Sequence, residues 1–143
     1  MPLRPDATLE RFARIGDGKL PGLVGVRILA VDEGRIEAEL DVVSKVVAPN
    51  GFLHAATVVE LADTACGYGC LAHLPAGAET FTTIELKANF LGTARQGTIS
   101  CVATPVHLGR NTQVWDAIVR DKSNARQIAL FRCTQMVLWP RPA

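Results

Sequence analysis

A carboxylate, Asp63, stands in the middle of the apolar segment Thr57 to Leu74, nine residues after His54 in the string Asn50-Gly51-Phe52-Leu53-His54-Ala55-Ala56. Burying an ionised carboxyl in apolar surroundings is costly, so an acid retained there reads as a functional group, a general base or a nucleophile. Glu60, three residues earlier, is the competing acid. It is expected at the partly exposed edge of the helix, which leaves the chemistry to Asp63. His54 marks the entrance to the same helix, where it reads as a packing and loop-anchoring residue as readily as a proton carrier, and so counts as a neighbour of the site. Cys66, Cys70 and His73 share one helical face at i, i+4 and i+7, a spacing that could in principle hold a metal. Cysteine on a buried helix is more often a small core hydrophobe, and no metal is expected.

These groups need an element to carry them. From about His54 to His73 the chain is Ala-rich and apolar nearly all round, the pattern of a helix enclosed on several sides, and His73-Leu74-Pro75-Ala76-Gly77 stops it. Ahead of it, Asp6 is expected to cap a short amphipathic helix through Thr8, Leu9, Phe12 and Ile15, ended by Gly16 and Gly18. Leu23 to Val31 and Arg35 to Val42 read as strands around the turn Asp32-Glu33-Gly34, and Ala48-Pro49-Asn50-Gly51 as a loop. Four more strands follow, Phe81 to Leu91, Thr98 to Leu108, Thr112 to Asp121 and Gln127 to Leu138, separated by turn residues at Gly92, Gly97, Gly109 and Ser123-Asn124. An antiparallel sheet curled around a central helix satisfies both the all-round hydrophobicity of the helix and the two-residue alternation of the strands. The expected class is therefore α+β.

The chain has 143 residues, the length of one domain spanning residues 1–143. Hydrophobic residues make up 48 % and charged residues 20 %, a low charge fraction that points to apolar surface covered by another subunit. Net charge is +1 with Lys and Arg scattered, which leaves no electrostatic footprint for nucleic acid or an anionic membrane. The first twenty residues contain acids and lack an apolar core of signal-peptide length. Glu60 and Asp63 interrupt the only long apolar candidate, so no membrane span is expected. Cys66, Cys70, Cys101 and Cys133 form no C-x-x-C pair, and reduced thiols in a cytoplasm fit best.

The string NGFLHAATVVELADTACGYG resembles the helix start of hotdog-fold acyl-CoA thioesterases of the phenylacetate-pathway and 4-hydroxybenzoyl-CoA group, where His-Gly-Gly precedes an acid nine residues on. The stretch PVHLGRNTQVWDAIVRD is similar to an HLGR-x-x-Q-x-W strand pair within that group, and the resemblance runs from about Leu20 to Leu138. It implies the hotdog fold, an acyl-CoA substrate, no cofactor beyond the coenzyme A moiety, and a homodimer with shared sites that pairs into a dimer of dimers. It further implies that the backbone N–H of Ala55 polarises the thioester carbonyl, that Asp63 is the base or nucleophile, and that Thr83 supplies an assisting hydroxyl. The chain departs from the pattern at three places. Ala55 and Ala56 replace the two glycines, Ala48 stands where an amide is usual with Asn50 nearby as a substitute, and Gly67 takes the place of a hydroxyl. With Gly51 these positions border the substrate. Free-acid release is the leading reading; a non-hydrolytic acyl-CoA-binding protein and a hydratase or dehydratase are the alternatives.

Thioester hydrolysis needs a nucleophile and a donor for the oxyanion, and a helix N-terminus supplies the donor from its unpaired N–H groups. Ala55 and Asp63 are eight residues apart, roughly 12 Å along one helix at about 1.5 Å per residue. Both must lie within about 3 Å of the reacting group. One helix cannot do this, whereas two antiparallel helices at a dimer interface can. Coenzyme A phosphates need cations: Arg110 in the His107-Leu108-Gly109-Arg110-Asn111 turn is the first candidate, with Lys87 and Arg95 behind it. His107 reads as a strand-end residue. Tyr68, Phe81 and Phe90 are candidates to line an aryl pocket, and an aryl or medium acyl group is expected on resemblance alone.

Overall fold

The computed structural model describes residues 1–141. Its order is α1 (Leu9–Arg14), α2 (Leu20–Val24), β1 (Arg27–Asp32), β2 (Arg35–Asp41), α3 (Ala55–Ala72), β3 (Thr80–Phe90), β4 (Thr98–Leu108), β5 (Thr112–Asp121) and β6 (Gln127–Leu138), with a single 3-10 turn at Ser44–Val46 before α3. The strands form one antiparallel sheet in the order β1-β2-β4-β5-β6-β3, and α3 packs against every strand of it. The expected sheet around a central helix is therefore what the chain forms.

Two expectations near the start need correction. Thr8, not Asp6, caps α1: its hydroxyl accepts from the Arg11 N–H, while Asp6 pairs with Arg4 and Arg11. The segment read as a strand from Leu23 begins instead as the one-turn helix α2, and β1 starts at Arg27. Pro21 at the first turn favours a helical start, and Gly25, at φ 91°, supplies the left-handed residue that stops it.

Strand alternation sends one face of the sheet to α3. On β5, Gln113, Trp115, Ala117 and Val119 point inward and are buried, and Ile99, Cys101 and Ala103 do the same on β4. The helix meets them with small side chains, including Ala62, Ala65, Cys66, Gly69 and Cys70, all on its buried side. Gly69 makes this closeness possible: a Cβ there would lie 2.6 Å from the Trp115 ring. A polar hub locks the C-terminal end of α3. Gln113 donates to the His73 carbonyl at 2.9 Å and accepts from the Trp115 indole at 2.9 Å. His73 Nδ1 donates to the Gly69 carbonyl at 2.8 Å, and Nε2 accepts the Gly34 N–H at 2.9 Å. Those partners require the neutral ring, and burial moves its pKa down in the same direction.

β3 is an edge strand of eleven residues with a bulge between Thr83 and Glu85. The bulge reverses the alternation. Thr83 faces inward opposite buried Gln135, whereas Lys87 pairs with Arg132 on the outer face. Beyond the bulge, Leu86 and Phe90 lie on the α3 side yet are 45 % and 47 % exposed. A long edge strand with uncovered apolar side chains is a template for pairing with another chain.

Gly69→Ala should destabilise the fold by about 1–3 kcal/mol through overpacking against Trp115, opposite in sign to the ~1 kcal/mol gain of alanine over glycine at an open helical position. Chemical denaturation of the two proteins measures it.

Candidate active site

The loop before α3 is a tight reversal. Ala48 N–H bonds to the Phe52 carbonyl at 2.7 Å and Gly51 N–H to the Ala48 carbonyl at 2.8 Å, with Gly51 at φ 82°. Asn50 Oδ1 accepts the Phe52 N–H at 3.2 Å, an Asx turn that leaves the side-chain NH2 free to donate. Val46 holds the first turn of the helix through its carbonyl, which accepts the His54 N–H at 3.2 Å and the Thr57 hydroxyl at 2.8 Å.

His54 is the N-cap. Its Nδ1 accepts the Ala56 N–H at 2.9 Å, and its carbonyl accepts the Thr57 N–H at 2.9 Å. Among the described residues the N–H of Ala55 has no protein acceptor. The helix start thus offers one free donor, at Ala55, with the positive end of the macrodipole behind it. The imidazole is spent on holding this geometry, so the packing reading of His54 is the one the contacts support, with Nε2 bearing the proton. Ala55 and Ala56 are both exposed, and their methyl groups project outward from the helix start.

Asp63 lies mid-helix on α3, one turn before Gly67 and near Cys66. It is half-buried, its Oδ1 is enclosed without a partner, and burial raises its pKa above the ordinary carboxylate value. Glu60 sits at the partly exposed edge expected of it, yet one of its oxygens is enclosed. Its Oε1 accepts the Thr64 hydroxyl at 2.9 Å, its Oε2 has no partner, and burial and the nearby Asp63 raise its pKa. Gly67, one turn beyond Asp63, leaves room for the Phe81 ring, 3.0 Å from where its Cβ would stand. Thr83 donates to Gln135 at 2.8 Å, and Gln135 donates to the Cys133 sulfur at 3.2 Å. Cys133 in turn faces Cys66 on α3, so Thr83 is tied to the middle of the helix through one side-chain chain.

The three cations separate. Arg110 is exposed and stacks 4.4 Å from the Trp139 ring centroid, at the C-terminal end of α3, about 15 Å along the helix from Asp63. Lys87 lies on the far face of the sheet because of the bulge. Arg95 stacks 4.6 Å from the Phe52 ring, beside the turn that presents Ala55. Placed behind Arg110 from sequence, it is, of the three, the cation beside the loop that leads into the oxyanion donor. Tyr68 and Phe81 pack inside the chain, whereas Phe90 is exposed. The Cys66 and Cys70 thiols are buried and their pKa values are pushed up by burial, to about 12 for Cys70. His73 spends both ring nitrogens inside the protein.

A family model described as the thioesterase superfamily matches residues 50–127, a range that includes Ala55, Glu60 and Asp63. The 1,4-dihydroxy-2-naphthoyl-CoA hydrolase of Listeria monocytogenes is 31 % identical over 111 residues, 78 % of this chain and 89 % of that protein. The Escherichia coli protein of the same description is 31 % identical over 134 residues, 92 % of this chain and 95 % of its own length. Among solved structures, a thioesterase from Haemophilus influenzae superimposes with a TM-score of 0.89 at 30 % identity, covering 96 % of this chain and 95 % of the other.

His54→Ala should lose about 1 kcal/mol of stability, the usual value of an N-cap, and leave two competing donors at the helix start. His54→Asn, which can still cap, should retain wild-type stability; thermal melts of both variants provide the check.

Proposed function

The chain belongs to the thioesterase superfamily and is a hotdog-fold thioester hydrolase, and on that premise we propose that Asp63 and the Ala55 N–H act on one thioester carbonyl, contributed by two copies of the chain. Acyl-CoA is the substrate class of the superfamily members it matches. The carrying observation is the pairing of a single unspent N–H at the start of α3 with an enclosed, unpartnered acid on the same helix. The carbonyl oxygen accepts from Ala55, and the developing negative charge is met by the helix dipole. Asp63, made more basic by burial, either takes a proton from the attacking water or attacks the carbonyl itself to form an anhydride. Activity accordingly falls as pH drops through the raised Asp63 pKa.

The distance between the two groups supports a homodimer. Their separation of eight residues is too long for one reacting centre. Pairing of two β3 edges about a two-fold axis covers Leu86 and Phe90 and sets the two α3 helices antiparallel, with the start of each beside the middle of the other. Arg95, next to the donor, suits a coenzyme A phosphate. An aryl or medium acyl group suits the apolar β3 surface, and a second pairing of dimers completes the reading. No helix among the described residues is long and apolar enough to cross a membrane.

A thiol-release screen over aryl and aliphatic CoA esters tests the activity, with free thiol expected and ligand-induced stabilisation without turnover contradicting it. On the best substrate, Asp63→Asn should lower kcat by at least about a hundredfold in a folded protein. Near-normal turnover in that variant would remove Asp63 from the mechanism.

A further inference from the structure

We propose that Glu60 is the general acid of this site, holding a proton on Oε2 that it delivers to the departing thiolate. The inference rests on the reading of Asp63 and Ala55 given above. Glu60 and Asp63 are three residues apart on α3, which sets their Cβ atoms about 5–6 Å apart on one face. Each presents one enclosed oxygen without a partner. An unfilled buried carboxyl oxygen is expensive, so two of them a turn apart mark a place where a proton or a ligand group is needed.

The charges around the pair decide which acid keeps the proton. The titratable groups facing Glu60 are Asp63, Tyr68 on α3 and, beyond Tyr68, Asp17 between α1 and α2; Cys66 faces Asp63. None is a cation, and no ion pair reaches either carboxyl among the described residues. Two neighbouring carboxyls without a counter-ion cannot both ionise easily, so one proton stays with the pair. With Asp63 ionised, as its role as base requires, its negative charge holds the proton on Glu60. Environments that separate two carboxyls in this way assign one as base and the other as acid.

The step balances with both groups. Asp63 takes a proton from water while the water oxygen bonds to the thioester carbon, and the carbonyl electron pair moves to oxygen, opposite the partner's Ala55 N–H. Return of that pair breaks the C–S bond and leaves the electrons on sulfur, where the Glu60 proton joins them. The proton on Asp63 then passes through water to Glu60, and free acid and thiol depart. Protonation matters for a thiol with an ordinary pKa of about 8.5 and much less for an acidic aryl thiol, whose anion leaves unaided.

Benzoyl-CoA and the benzoyl thioester of 4-nitrothiophenol, compared in the full-length protein, test this. Glu60→Gln should lower kcat on benzoyl-CoA by about tenfold or more, lower it on the aryl thioester by less than about threefold, and abolish the alkaline limb of the benzoyl-CoA pH profile. Equal losses on both substrates with the alkaline limb unchanged would overturn the assignment. Thr64→Val gives a second reading that does not alter either carboxyl: the Thr64 hydroxyl lowers the Glu60 pKa, so its removal should move the alkaline limb to higher pH. An unmoved limb in a folded Thr64→Val protein contradicts the proposal even if Glu60→Gln does not fold. Asp63→Asn separates the two claims. Turnover retained there defeats the reading of the whole site, whereas inactivity there together with leaving-group-independent Glu60→Gln defeats only the role of Glu60.

Discussion

The site depends on how closely α3 can lie against the sheet. Trp115 occupies the place where a Cβ of residue 69 would stand, and the helix answers with Ala62, Ala65, Cys66 and Cys70 along the same side. Interiors packed at crystal density tolerate little adjustment, so this contact fixes the rotation of α3 about its axis. The ends are tied separately. His73 is held by Gly34 and Gly69 and by Gln113 on its carbonyl, and the first turn hangs from the Val46 carbonyl. With rotation and position both set, the placement of Asp63 and Glu60 on α3 is set as well.

No donor among the described residues reaches the enclosed oxygen of either acid. Their enclosed oxygens stay unfilled and burial lifts both pKa values. Elsewhere carboxylates find cations: Glu39 and Asp41 share Arg27, and Asp116 holds Arg132 in a two-point contact. The contrast separates acids that settle surface charge from acids kept basic for chemistry. The uncovered apolar side chains Leu86 and Phe90 of β3 lie on the α3 side of the sheet, where the proposed dimer would cover them.

Much of this was legible in the residues. The apolar run predicted α3 within a residue or two of Ala55–Ala72, and period-two alternation placed β4, β5 and β6 at their observed bounds. Asp63 stood out from the cost of burying a charge in an apolar segment. What the residues could not show depended on irregular backbone or on neighbours distant in sequence. The β3 bulge puts Thr83 and Lys87 on opposite faces although both are odd-numbered, so simple alternation misplaces Lys87. α2 was hidden in an apolar string that suits a strand equally well until Pro21 and Gly25 are weighed as start and stop signals. Tyr68 packs edge-on against Phe12 of α1, and the stacking of Arg95 on Phe52 joins segments about forty residues apart in sequence. Neither contact leaves a local signal.

Complementation between two inactive variants tests most directly whether one carbonyl is served by Ala55 of one chain and Asp63 of another. Ala55→Pro removes the donor at a first helical position that accepts proline, after a residue already extended at φ −67° and ψ 134°, and Asp63→Ala removes the acid. Each homodimer should be nearly inactive. In a heterodimer made by unfolding and refolding the two together, one site carries both defects and the other none, so activity should return to about half of wild type per heterodimer. Mixed dimers seen by native mass spectrometry without recovered activity would contradict the shared site.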